Sequence, residues 1–242
     1  MNIRPSLITI RSRAGQGHTG ADLSETEIIA TLYFSVLRYD IQNSLAENRD
    51  RFILSKGHGA GGYYCVLAEA GVIPHSWLST YLEFDSLLPG HPVRQKTPGV
   101  EFNTGALGHG LPAAVGMALA AKKKNSDEKI YVLVGDGELQ EGSNWEAAMS
   151  ASHFLLDNLI IIVDRNKLQL ADRTEHIMPL EPLADKWKAF GFEVMETDGN
   201  NPQALLHAFS SHPAKKNHPT VIIANTLKGK GVSFIEDKAL WH

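Results

Sequence analysis

The chain has 242 residues, 43% of them apolar and 21% charged, with a net charge of −4, the balance of a globular protein with room for one large α/β domain or two small ones. No basic block offers a nucleic-acid footprint, and no uninterrupted apolar stretch is long enough to span a membrane. A single cysteine, Cys65, excludes an internal disulfide framework, and the opening MNIRPSLITIRSRAG has no apolar signal-peptide core, so a cytoplasmic location is expected.

In chain order, SETEIIATLYFSVLR (24–38) reads as a capped amphipathic helix, because Ser24 is followed three residues later by Glu27. Residues 88–110 are Pro/Gly-rich, and a long irregular segment inside a compact domain is usually functional. LPAAVGMALAAKKK (111–124) is a small-residue helix whose cationic last turn suits the helix dipole. After it, strands at 129–136, 158–166, 192–199 and 219–226 alternate with helices at 142–155, 182–191 and 201–211. The strands are near-continuous Ile/Val/Leu runs, the mark of strands covered on both faces. The pattern therefore predicts one three-layer, doubly wound α/β domain with a mostly parallel sheet and crossover helices on both faces.

Ligands in such a sheet bind beyond the carboxyl ends of the strands. One strand ends in Gly135-Asp136-Gly137 and the next in Asp164-Arg165-Asn166. Asp136 and Asn166 lie 30 positions apart, the span of one strand–helix–strand unit, so they can face each other on adjacent strands. A carboxylate and an amide oxygen are hard ligands suited to Mg²⁺ or Ca²⁺, and Mg²⁺ with so little protein charge completes its shell with phosphate oxygens and water. Gly135 and Gly137 would let backbone approach a diphosphate, and the helix at 143–155 would aim its N-terminal N–H groups at that anion. The plainer reading is a turn aspartate that caps the next helix; Asn166 at the matching span favours the metal–diphosphate clamp.

Histidine is the second signal. Four of the eleven follow a glycine in loop-like stretches: His18, His58, His91 and His109. Loop imidazoles suit proton transfer and hydrogen bonding to a hydroxylated substrate. A zinc site lacks cysteine or carboxylate partners at ligand spacing. GQGHTG is only a loose glycine cluster, without the strand and spaced acidic residue of a dinucleotide fingerprint.

Taken together, GDGELQEGSNWEA with DRNKLQ, GQGHTGADLSETEI, DRFILSKGHGAGG, PGHP, NTGALGHGLPAAVGMA, EPLADKWKAFGFEV and TLKGKGVSF resemble, in order, the N-terminal half of transketolase, a thiamine-diphosphate enzyme. The resemblance runs from about Ser12 to His242. It implies that residues 1–242 form a single diphosphate-binding (PP) domain. It also implies that Asp136 and Asn166 bind the metal through side chains and Leu168 through its carbonyl. Gly137 would contact the diphosphate, and Lys228 would sit in a loop over it. His58 would approach both diphosphate and substrate, and His18, His91 and His242 would surround the reacting carbonyl and hydroxyls of the sugar. Gly105 and Leu107 would line the aminopyrimidine, and Glu141 would be a carboxylate near the subunit interface.

The sequence departs from the family at His109, where many members carry Gln, at Lys56, where many carry Asn, and at Thr19, where Pro is usual. The pyrimidine and C-terminal domains of a full transketolase find no counterpart in these residues. The resemblance therefore implies a split enzyme, in which a partner chain carries the pyrimidine domain, with α₂β₂ the natural assembly. Helices 111–121 and 141–154 are the expected partner-facing surfaces, with Trp145 and Met149 on one face. The activity implied is transfer of a two-carbon ketol unit from a ketose, or its phosphate, to an aldose. Within that activity an unusual sugar, apiose-derived or sulfonated, stays open, as does a non-catalytic module that only binds thiamine diphosphate.

Overall fold

The computed structural model describes residues 2–40, 46, 48–170, 172–211 and 215–241. Its elements are α1 (Ile3–Ala14), α2 (Thr19–Thr31) running into a π-helical turn (Leu32–Val36), β1 (Arg51–Leu54), α3 (Ala60–Glu69) and α4 (Gly110–Lys123). There follow β2 (Ile130–Gly135), α5 (Gly142–His153), β3 (Leu159–Arg165), β4 (Leu168–Gln169), β5 (Asp172–Arg173), α6 (Thr174–Ile177), α7 (Leu183–Ala189), β6 (Glu193–Asp198), α8 (Pro202–Ser210) and β7 (Thr220–Asn225). Five strands form one sheet in the order β1-β2-β3-β7-β6, and every pairing is parallel. β4 and β5 form a separate antiparallel ribbon.

Alternation along the strands builds two cores. Tyr131, Leu133, Ile160, Ile162 and Ile222 point into one cluster with residues of α1, α2, α3 and α8. Val132, Val134, Ile161, Val163 and Val221 point into the other, with α4, α5 and Trp187 of α7. Each central strand is thus buried on both faces, which is why the runs read as continuous rather than alternating. The three-layer, doubly wound expectation holds, and the sheet is wholly rather than mostly parallel. Among the described residues, no helix is long and apolar enough to cross a membrane.

From residue 110 onward the expected elements fall within one or two residues of those observed. α7 closes at Gly191, whose φ of +87° suits glycine, and Asn201 caps α8 by accepting from the N–H groups of Gln203 and Ala204. Nearer the start the reading needs correction. The helix expected from Ser24 begins at Thr19, as α2. Ser24 lies inside α2, fully buried, and its hydroxyl donates to Asp164 Oδ2 at 2.6 Å. What resembled a capping box is a buried tertiary contact. Trp145 also differs: its indole N–H donates to the Leu139 carbonyl at 2.8 Å and its ring packs on Trp187 and Phe190. It belongs to this domain's own core, whereas Met149, one turn on, is exposed.

Candidate active site

The pairing of β2 with β3 sets Gly135 beside Asp164. The chain leaves β2 at Asp136 and β3 at Asn166, so both side chains emerge at the same carboxyl edge. They line one cavity of about 330 Å³. Leu168, Lys228 and Gly137 line it too, with His18, His58, His91, Gly105 and Leu107. One cavity therefore unites almost every residue singled out in the sequence. Glu141 stands apart, exposed at the start of α5, and His109 is likewise exposed, at the start of α4. His242 lies outside the described residues.

Asp136 is 1% exposed. Its Oδ1 accepts from the N–H of Gly137 at 2.8 Å, so it does cap the turn at Gly137–Gln140. Its Oδ2 accepts from the N–H of Lys167 at 2.6 Å and from Arg165 Nη1 at 3.1 Å. Burial, and secondarily the charge of Asp164, push its carboxyl up from 3.8 to about 6, against the opposing pull of Arg165. The cap and the clamp are therefore not alternatives: Oδ1 satisfies one N–H and keeps a lone pair for a cation. Asn166 is held from both sides. Its Nδ2 donates to Asp164 Oδ2 at 3.2 Å and its Oδ1 accepts from the N–H of Leu168 at 3.1 Å.

The donor set fits a hard cation. The Leu168 carbonyl accepts from Lys228 Nζ at 3.2 Å, so an ammonium already occupies one of the three oxygen positions assigned to the metal. Burial, and then the nearby Lys56, lower that ammonium to about 8. Among the described residues, no group of three or more His, Cys, Asp or Glu could hold a metal.

A Cβ at Gly137 would lie 2.9 Å from Gln169 Cβ, so this glycine admits the ribbon that follows β3. A Cβ at Gly135 would meet only ordinary contacts with Lys56 and Glu138. The N-terminus of α5 does not line the cavity; the turn directly after Asp136 does, through Gly137 and Glu138. Gly105 adopts φ +140°, and a Cβ there would press on the His91 ring at 3.0 Å. His91 is steadied by Tyr64, whose hydroxyl donates to the His91 carbonyl at 3.2 Å. The His18 and His58 rings meet edge to face at 5.0 Å. Burial first, then the charge of Arg11, hold His18 below its ordinary 6.5, which favours its neutral form.

Sequence reading missed a network of buried charges that reaches this cavity through Lys56. Lys56 is 1% exposed, and its ammonium pairs with Asp164 and, at 3.0 Å, with Glu25. Burial drives Glu25 well above the carboxylate range. A Cβ at Gly59 would lie 2.3 Å from Glu25 Oε1, so that glycine makes room for the carboxyl. Arg165, 2% exposed, binds Asp136 and reaches Thr174, Glu175 and Glu181 at 2.7–2.9 Å. The one available signal was a charge inside or beside an apolar strand: Asp164 and Arg165 end the run LIIIV.

The family profile described as transketolase, thiamine diphosphate binding domain, matches residues 2–242. The chain belongs to the transketolase family. It is 60% identical, over 98% of its length and 85% of the relative's, to an apulose-4-phosphate transketolase subunit of Actinobacillus succinogenes. It is 44% identical, over 99% of its length and 87% of the relative's, to a 6-deoxy-6-sulfo-D-fructose transketolase subunit of a Clostridium species. Among solved structures, transketolase from Leishmania mexicana superposes with a TM-score of 0.93 at 33% identity. That match covers 99% of this chain and 38% of the Leishmania chain, so the sequence corresponds to a little over a third of that transketolase. The α/β thiamine-diphosphate-binding fold expected from the sequence is the fold these relatives share.

Proposed function

We propose that the chain is the cofactor-binding subunit of a two-chain transketolase. It holds thiamine diphosphate with Mg²⁺, or Ca²⁺ in its place, at the carboxyl ends of β2 and β3. With a partner chain that carries a pyrimidine domain, in an α₂β₂ assembly, it moves a two-carbon ketol unit from a ketose phosphate to an aldose phosphate. The carrying observation is the single cavity that Asp136, Asn166 and Leu168 share with His18, His58 and His91.

Thiamine diphosphate, when bound, supplies the electron sink that breaking a carbon–carbon bond beside a carbonyl requires. The chain's own part is to hold and orient. Asp136, Asn166 and the Leu168 carbonyl take the metal, Gly137 and Lys228 face the diphosphate, and Gly105 with Leu107 line the aminopyrimidine. His58, on the same cavity, would approach both the diphosphate and the sugar. His18 and His91, with His242, hydrogen-bond the sugar's carbonyl and hydroxyls, and neutral His18 is able to accept a proton. Glu141, exposed beside the site, faces the partner.

The name of the 60%-identical relative favours a branched ketose phosphate of the apulose-4-phosphate type as donor. The test is reconstitution. Purified chain and partner, with thiamine diphosphate and Mg²⁺, are given apulose 4-phosphate, 6-deoxy-6-sulfo-D-fructose or an unbranched ketose phosphate, together with an aldose phosphate. Transfer from apulose 4-phosphate, lost when either chain is omitted, is expected. Preference for the sulfonated sugar would reassign the donor, and turnover by this chain alone would overturn the two-chain reading.

A further inference from the structure

Glu138, in the turn after Asp136, is 2% exposed and meets donors from three separate segments. Its Oε1 accepts from the Ser55 hydroxyl, just past β1, and from the N–H of Gly108 at 3.0 Å, in the loop before α4. Its Oε2 accepts from the N–H of Gly135 at 3.0 Å, the last residue of β2. All three partners are donors, a set that only a carboxylate satisfies in full. Glu138 is itself anchored, because Asn144 Nδ2 donates to its carbonyl at 2.7 Å.

Gly108 is gripped from the other side as well. Its carbonyl accepts from the Ser143 hydroxyl at 2.7 Å, and a Cβ on it would lie 2.5 Å from Ser143 Oγ and 2.7 Å from Glu141 Cβ. With φ +81°, the residue is wedged where no side chain fits. The loop that carries Gly105 and Leu107 is thus clasped at Gly108, by Glu138 on its N–H and by Ser143 on its carbonyl. The same carboxylate grips the strand end that leads into Asp136.

We propose that Glu138 is a positioning residue that fixes the backbone of Gly105–Leu107 relative to the diphosphate-binding turn, so that ring and diphosphate are held in register. This rests on the cofactor reading above. Glu138 acts on the cofactor's ring through Gly108, and the inference separates two halves of one ligand. A glutamine at this position has one acceptor oxygen for two backbone N–H groups on opposite sides, so one of them faces an NH₂ group.

The test is calorimetric titration of the full chain, wild type and Glu138→Gln, with Mg²⁺ and either thiamine diphosphate or inorganic pyrophosphate. The expected result is a Kd for thiamine diphosphate raised about tenfold or more in Glu138→Gln, with the Kd for pyrophosphate within about twofold of wild type. Ser143→Ala, which removes the milder half of the clasp, is expected to show the same selectivity at about two- to fivefold. It decides the matter if Glu138→Gln fails to fold by circular dichroism. Equal weakening of both ligands, or of neither, overturns the positioning role. Wild-type protein that binds neither ligand overturns the cofactor reading first and this role with it.

Discussion

Replacing Asp136 by alanine separates the stability of the fold from its capacity for a cation. Burial holds this carboxyl at about 6 rather than 3.8, so keeping it ionised at pH 7 costs the metal-free fold about 3 kcal/mol, roughly two units at 1.36 each. Alanine removes that cost. It also leaves the N–H groups of Gly137 and Lys167 without their acceptor, at about 1–3 kcal/mol each. Arg165 keeps Glu175 and Glu181 as partners, so no buried cation is stranded. The effects oppose each other and leave a net change between about +1 and −3 kcal/mol. The cofactor-free Tm of Asp136→Ala should therefore lie between about 4 °C above and about 12 °C below wild type, at about 2–4 °C per kcal/mol for a chain of this size. Thiamine diphosphate with Mg²⁺ at about 100 times Kd should add about 2.7 kcal/mol to wild type, a rise of roughly 5–11 °C. Asp136→Ala should show none of that rise. The assay is thermal unfolding by circular dichroism, with thiamine diphosphate and either Mg²⁺ or EDTA. A full Mg²⁺-dependent rise in the variant would refute the assignment of Asp136 to the metal. A variant unfolded at 25 °C would refute the offset argument.

Other substitutions probe the rest of the site. In the reconstituted complex, His58→Ala and His91→Ala should lower kcat by about 10²–10⁴, and wild-type rates in both would make these imidazoles structural. Because burial and neighbouring charge hold His18 below 6.5, the unfolded chain takes up a proton that the folded chain resists as pH falls through 6.5. Stability should therefore drop with pH in that window, and His18→Gln should flatten the drop in urea titrations between pH 5 and 7; an unchanged slope would remove His18 as its source. Lys56→Met strands the buried carboxylate of Asp164 and should cost about 3–5 kcal/mol, a fall in Tm of roughly 6–20 °C. An unchanged Tm with weaker cofactor binding would instead make Lys56 a ligand.

The second half of the fold was legible because β2, β3 and β7 are buried on both faces and its helices carry clear start and stop signals, such as Asn201 and Gly191. The first half was not. β1 is four residues long, too short for a periodic signal. α3, AGGYYCVLAE, is buried almost all round and has no polar face to betray a helix. Ser24 mimicked a cap because a buried hydroxyl and a capping hydroxyl look alike in sequence. In the site, Asp136 and Asn166 were readable since one crossover unit fixes their separation. Lys56, Glu25 and Glu138 were not, because their partners come from distant segments: Lys56 meets Asp164 across 108 positions. Such contacts are set by the packing of loops, which no local pattern records.

The most direct measurement of the central claim follows the carbon itself. A ketose phosphate labelled with ¹³C at C1 and C2 is incubated with an aldose phosphate, both chains, thiamine diphosphate and Mg²⁺, and the product is read by NMR. The account predicts that the two labelled carbons arrive together, still bonded to each other, as C1 and C2 of a new ketose, and only when this chain and its partner are both present. Labelled carbons that arrive separately, or transfer sustained by either chain alone, would contradict it.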